Sequence, residues 1–473
     1  MERRLRVPAF VVALVTLATV LTACSSGSQK PGTTATTSTS GTTGTSGTTG
    51  LSSSPTIPSS SAPLTASFRG VTPTSIKLGI VTIDYTCIKQ FVNYNYGNQP
   101  AIDQVLIDDL NAHGGILGRR IDPVYESYCP IGNSQALALC TSFTEDAKVF
   151  AVLGRFFDST GDANLCVSRD HQTIQIGHEL SQEWINEAPP GLTLSPEITA
   201  ERRATVLLNL LKAQGTLKGK KVATLTDVDT ENSVATVIKP ALDRMGVAQG
   251  SAAVVTIVGS DTSTAQTQLE SDIAKWQGEG VNAIILAGQF VPAKQFVEKI
   301  RAAMPNVLLL TDGASSALGG GQDETAAGVK PNPYDGMLTA NGLTDSETWQ
   351  RTGLQHCVQT YETRSGQYVI GPDQLKPGPD GKIVQVWLAV NDFCDELAMF
   401  TQIAEKAGPD LTNDTWTQAA NNFGEIQLPE TVYASIHAGK YDADDGFRLA
   451  VFDSTVGSKG DFKPLSPIED ASK

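Results

Sequence analysis

Residues 75–127 read SIKLGIVTIDYTCIKQFVNYNYGNQPAIDQVLIDDLNAHGGILGRRIDPVYES, and this stretch holds a complete strand, helix, strand unit. Ile76, Leu78, Ile80 and Ile83, with Val81 among them, form a short apolar run rich in β-branched residues, the pattern of a strand covered on both faces. From Pro100 the period lengthens. Ile102, Val105, Leu106 and Leu110 recur at helical spacing, with Asp103, Asp108 and Asp109 expected towards solvent. Asn111-Ala112-His113-Gly114-Gly115 ends that helix, because glycine accepts the left-handed conformation a helix terminus needs. Residues 116–125 read as the second strand. Two parallel strands joined through a helix cross over right-handedly, so the unit seeds an open α/β sheet with its crevice beyond the carboxyl ends of the strands.

The alternation continues outward from there. Helices are expected over 134–146 and 163–170, with strands over 149–154 and 173–177. Residues 192–194 read as an extended link, and Ser195-Pro196-Glu197 is expected to open a helix running to Gln214, with serine as N-cap and proline in the first turn. A second series follows, with strands at 221–226, 252–258, 281–286 and 307–310 and helices at 234–245, 264–277 and 292–304. Two such series imply two similar lobes. Gly313 to Gly321 is glycine-rich without a phosphate-loop lysine and reads as a flexible loop. Beyond a strand and link at 334–343 come a helix at 349–361, a Pro/Gly-rich loop to Gly381, an amphipathic helix at 384–406, a shorter one at 412–423 and a last strand at 447–452.

A chain of 473 residues is too long for one ordinary core. Its 35 basic and 50 acidic residues leave a net charge of −15, which argues against a nucleic-acid partner. At the start, Arg3, Arg4 and Arg6 precede the apolar run Val7 to Val20, which ends in Leu21-Thr22-Ala23-Cys24. This is a signal peptide over 1–23 whose end resembles a bacterial lipobox, so Cys24 is expected to be acylated and to hold the chain on the extracytoplasmic face of the cell membrane. Residues 24–68 are dominated by Ser, Thr, Gly and Pro, bury too little to offset chain entropy and read as a disordered tether.

Six cysteines remain. In an oxidising compartment they are expected in disulfides, and six allow many connectivities. The doubly wound reading puts Cys87 and Cys129 at neighbouring strand ends, Cys140 and Cys166 on adjacent helices, and Cys357 and Cys394 on late helices, so these three bridges are expected. No two cysteines have zinc-ligand spacing, and no metal or cofactor is expected. The sequence holds no Gly-x-Ser-x-Gly elbow, no phosphate-binding loop and no His-Glu-x-x-His. Without a visible nucleophile beside a base, no enzyme activity is expected.

The run Asn111 to Gly118 resembles the Asn-x-x-Gly-Gly-Ile-x-Gly segment of the leucine/isoleucine/valine-binding protein family, the type I periplasmic solute-binding proteins of ABC importers. Gly154 before a Ser/Thr loop and Asp335-Gly336-Met337-Leu338 add to the resemblance, which runs over nearly all of residues 75–462. It implies an α/β fold of two doubly wound open-sheet lobes joined by a three-crossing hinge, with crossings near Leu194, Leu338 and Tyr433. Lobe I would hold 69–194 plus 339–433, and lobe II 195–338 plus 434–466. A monomer of this kind captures a small polar ligand, an amino acid or related compound, and delivers it to an ABC permease. The alternative is a sensor of the same fold acting on a signalling partner.

The resemblance also implies site residues. Ser159, Thr160 and Ser181 take hydroxyl roles towards a ligand carboxylate, and Asp312 is the acid for its amine. Asp158 stands where a carboxylate-binding serine is usual, and Glu231 where an aromatic is. A carboxylate facing another needs a proton or a partner, which Arg155 or His178 can supply, or else a ligand other than a simple amino acid. Tyr85, Tyr94, Asp229 and Phe290 complete the ligand-binding candidates, in loops at the expected strand ends.

Overall fold

In a computed structural model of the chain, which describes residues 63–89, 94–131, 133–157, 160–178, 180–228, 230–256, 263–288 and 293–472, the quoted unit folds as read. Strand β1 (Ser75–Ile83) leads to helix α1 (Gln99–Ala112), capped by the Asn98 side chain and with proline in its first turn. Strand β2 (Arg120–Tyr128) pairs parallel to β1 from Ser75 opposite Arg120 to Ile83 opposite Tyr128. With β3 (Ala151–Leu153), β4 (Ile174–Ile176) and β5 (Thr193–Leu194) the first sheet has the all-parallel order β2-β1-β3-β4-β5. The strand order reverses beside β1, the switch point at which such sheets open a crevice.

The second sheet is built from β6 (Lys221–Asp227), β7 (Ala248–Gln249), β8 (Ala253–Val255), β9 (Ala283–Ala287), β10 (Leu308–Thr311), β11 (Leu338–Asn341), β12 (Gly446–Asp453) and β13 (Asp461–Pro464). Its order is β13-β12-β11-β10-β9-β6-β7, with β8 also on β6. The β11/β12 and β12/β13 pairs are antiparallel, as is the pairing of a last short strand, Glu469–Asp470, with β12. Leu225, Ile284, Leu309 and Phe452 from these strands are buried with Leu269, Trp276 and Phe296 from the helices.

Residues 354–443 return to the first sheet. Helix α5 (Val386–Ala407) places Trp387, Phe400 and Ile403 in one core with Ile76, Ile80 and Leu153, and Phe400 stacks on Trp416 with centroids 5.3 Å apart. The disulfides Cys87–Cys129, Cys140–Cys166 and Cys357–Cys394 form as expected. Among the described residues no helix is long and apolar enough to cross a membrane.

Several expectations are corrected. Residues 193–194 are the fifth strand of the first sheet rather than a bare link. Helix α3 (Ala200–Ala213) begins after Thr199, not at Ser195, because the Asp442 carboxylate accepts from the Thr199 N–H at 2.9 Å and takes the capping role. Ser195 is instead drawn into a parallel bridge with Asp442, where its N–H donates to Tyr441 O and its carbonyl accepts from Ala443 N–H. Gly313 to Gly321 is not a loop. Helix α4 spans Ala314–Ala326, and Gly320 and Gly321 lie where a Cβ would strike the Tyr334 and Phe452 rings, so close ring packing needs glycine there.

The crossings shift as well. Residues 338–341 pair within the second sheet, so the middle crossing falls at 342–344 instead of Leu338. Ala434, Ile436, Tyr441 and Ala443 pack in the first core, so the last crossing falls at 444–445 instead of Tyr433. Asp103 is buried at 4% exposure rather than solvated. The body also starts before residue 69, since Thr65 O accepts from Arg119 and Ser67 Oγ donates to Leu411 O. The signal segment, Cys24 and most of the expected tether lie outside the described residues.

Candidate functional site

The carboxyl ends of β4, β5, β9 and β10 lead into residues that interact with one another. Asp312, immediately after β10 and 4% exposed, accepts from the Gly288 N–H at the end of β9 at 2.8 Å. Burial pushes its carboxyl up to about 6, against the Gly288 N–H and the Arg203 charge, which favour ionisation. Arg203 on α3 and Glu197 from the first crossing line a cavity of ≈ 140 Å³ together with Ser315, Asn341, Glu430 and Asp444. A wider groove, ≈ 580 Å³ with Lys212, Lys218, Lys220 and Lys221 on its walls, lies at the opposite, amino end of the second sheet.

His178, just beyond β4 and 3% exposed, is flanked by two carboxylates, with Nδ1 3.5 Å from Glu197 Oε1 and Nε2 3.1 Å from Glu396 Oε1. Burial alone would favour the neutral ring. The two acids reverse that and hold the imidazole pKa well above its ordinary value. Burial likewise pushes Glu197 up, but His178, Arg155 and Arg203 together hold its carboxyl below the ordinary range.

Helix α5 brings a polar stripe to the same region. Asn391 Nδ2 donates to Glu430 Oε2, and the Glu430 N–H donates to Asp395 Oδ1 at 3.3 Å. Burial raises Asp392 to about 7, His178 and Arg155 opposing it, and raises Asp395 and Asp103 well above the ordinary carboxylate range. Asp444 is raised to about 7 by burial, and Glu430 is raised by burial and by Glu197, with Asn391 and His178 opposing. The result is a shielded, acid-rich region in which His178 is embedded.

Of the expected ligand residues, Asp312 and His178 are linked through Arg203 and Glu197. Tyr85 and Tyr94 join Tyr96 in a cluster with centroids 5.2 to 6.0 Å apart, and burial pushes the Tyr85 phenol up, with Tyr94, Arg155 and Asp392 also acting on it. Thr160 is exposed and accepts from Asn133 Nδ2 at 2.7 Å. The Ser181 hydroxyl is engaged within the fold. It caps helix α2 (Gln182–Glu187) by accepting from the Glu183 N–H and donates to Glu201 Oε1 at 2.8 Å, which commits both of its functions to the fold. Asp158, Ser159, Asp229 and Phe290 lie outside the described residues, as does the side chain of Glu231.

Glu197, Arg203, Asp392, Glu430 and Asp444 were not singled out by the sequence. A signal was present in α5, where Asn391, Asp392, Asp395 and Glu396 interrupt an otherwise apolar run between Trp387 and Phe400.

No family model matches the chain, and no curated protein matches it in sequence. Solved structures do match in fold. The fatty acid ABC transporter substrate-binding protein from Thermomonospora curvata superposes with a TM-score of 0.57 at 15% identity, over 85% of this chain and 94% of that one. The solute-binding protein of an ABC transporter from Rhodopseudomonas palustris BisB5, in complex with 3,4-dihydroxybenzoic acid, gives 0.57 at 13% identity, over 84% and 98%. The branched-chain amino acid transporter substrate-binding protein from Streptococcus pneumoniae, in complex with isoleucine, gives 0.53 at 13%, over 84% and 100%. The chain shares with them the two-lobed periplasmic-binding-protein type I fold.

Proposed function

We propose that this protein is a lipid-anchored extracytoplasmic solute-binding protein. It captures a small polar ligand, an amino acid or related compound, between its two lobes and presents it to the permease of an ABC importer. The observation that carries the reading is the arrangement of two open sheets whose strand ends lead to one charged region beside three chain crossings. The fold is also that of substrate-binding proteins. A ligand touching both lobes binds the closed arrangement better than the open one, and it shifts the equilibrium by that difference in affinity. The function is binding, not turnover. Cys24 supplies the anchor and residues 24–68 the reach.

Two experiments test the parts. In a melting screen of the secreted chain against amino acids, amides, polyamines, short peptides, aromatic acids, fatty acids and sugars, a true ligand at a hundredfold excess over Kd stabilises by about 2.7 kcal/mol. A screen without a shift in any class refutes the binding reading. Mass spectrometry of the membrane-associated chain should find diacylglyceryl on Cys24, and an unmodified Cys24 refutes the anchor.

A further inference from the structure

We propose that the cleft selects a net-cationic amino acid, of the lysine, ornithine and arginine class, with its carboxylate on Arg203, its α-ammonium on the carboxylates of the hinge cavity and its cationic side chain leading out of the cavity's open side. This inference rests on the solute-binding reading above.

Arg203 lines the cavity half-buried, and its guanidinium makes no hydrogen bond or ion pair with a described residue. Other shielded arginines are tied down. Arg202 binds Asp442, Asp445 and Asp444 O, Arg448 binds Glu347, and Arg119 binds three carbonyls. Arg203 alone of these offers its donor fork to an open cavity, the geometry that takes a carboxylate bidentately.

The rest of the charged lining is acidic. Glu197, Glu430 and Asp444 face Arg203, and Asp444 uses one oxygen on the Gly446 N–H. Behind Glu430 stands Asp395, fully buried, with Oδ2 lacking a hydrogen-bond partner of good geometry. Glu197 is already held by His178, so Glu430 and Asp444 against the one guanidinium of Arg203 leave a negative charge that a neutral zwitterion does not balance. A ligand with one negative and two positive groups does. A bare divalent cation would meet Arg203, and a simple anion would meet three acids.

The space agrees with this. A cavity of ≈ 140 Å³ is close to one that admits benzene, so it takes about six heavy atoms, which holds the five of an amino-acid head and leaves the side chain to run out through the open side.

Calorimetry on the full secreted chain with L-lysine, L-norleucine, cadaverine and L-glutamate tests the inference. Norleucine lacks the terminal ammonium, and cadaverine lacks the carboxylate. Lysine should bind, with both analogues at least tenfold weaker and glutamate weakest. Arg203→Met should weaken lysine at least tenfold without weakening cadaverine, and Glu430→Gln should weaken both. If a variant fails to fold by circular dichroism, the ligand series on the unaltered chain decides. Norleucine or glutamate equalling lysine overturns the inference, as does an absence of lysine and arginine binding while another solute of the wider screen binds. In those cases the solute-binding reading survives. If no solute of any class binds, both fall.

Discussion

Replacing Asp392 with asparagine should make the ligand-free protein more stable, and increasingly so as the pH rises. The carboxyl sits on α5, largely shielded, without a side-chain hydrogen bond to a described residue, and burial lifts it from an ordinary 3.8 to about 7. A carboxyl raised on folding keeps its proton longer in the folded state than in the unfolded chain. It is therefore neutral for stability well below pH 3.8, and stability is lost as the pH climbs from 3.8 towards 7. The gap of about three pH units, at roughly 1.36 kcal/mol each, amounts to ~4 kcal/mol at pH 8 and ~1.6 kcal/mol at pH 5. Asparagine has nearly the same shape and no charge to desolvate. Asp392→Asn should thus gain about 2–4 kcal/mol at pH 8 and about half as much or less at pH 5, allowing for relaxation around His178. Urea unfolding followed by circular dichroism at both pH values measures the difference. A variant less stable than the parent at pH 8, or one with the same gain at both values, would refute the reasoning.

His178→Gln should have the opposite effect, because it leaves Glu197 and Glu396 without the cation between them, at about 3–5 kcal/mol near neutral pH. The imidazole pKa is raised on folding, so its contribution is fully present below about 6.5 and fades as the pH rises through its elevated folded value; equal stability of variant and parent at pH 6 would contradict this. On α4, Gly321→Ala should lower stability by about 1–3 kcal/mol because its Cβ meets the Phe452 ring, whereas Gly319→Ala on the same helix, with open space around it, should raise it by up to about 1 kcal/mol. Thermal melts that move in the same direction for both glycines would sink that argument. Joint replacement of Cys140 and Cys166 by alanine opens a link across 26 residues and should cost about 3.5 kcal/mol, read from denaturant midpoints against the oxidised parent.

What the sequence revealed tracks how local each determinant is. The β1–α1–β2 unit was legible because its apolar period changes from strand to helix within one short stretch, and β3, β4, β6, β8, β9 and β10 announced themselves as apolar runs, whereas β5 read as a link and β7 and β13 gave no such run. Helix α4 was hidden because three successive glycines argue against a helix locally, while the rings that require two of them, Gly320 and Gly321, come from Tyr334 and Phe452, outside the helix. The start of α3 was misplaced for the same reason, since its cap comes from Asp442. The acids of α5 were concealed by their spacing: Asp392, Asp395 and Glu396 at i, i+3 and i+4 look like a solvated face, and only the return of this helix to the first sheet turns them inward. Asp312 and His178 were singled out because residues just past strand ends in doubly wound sheets are where ligands bind. The capping role of Ser181 was not legible, because its other partner, Glu201, lies on the following helix.

The pairing of Ser195 with Asp442 bears on how the molecule can flex. Two of its three inter-lobe connections run side by side, laced by Ser195 to Tyr441, Ala443 to Ser195 and Asp444 to Pro196, and pinned by the Asp442 carboxylate to the base of α3. Such a doubled strand resists sliding and bends mainly as one blade spring, leaving the single segment at 342–344 to take up slack. Motion of one half against the other is thereby steered into a swing about a fixed line, and that line passes beside Glu197 and Asp444, which line the cavity.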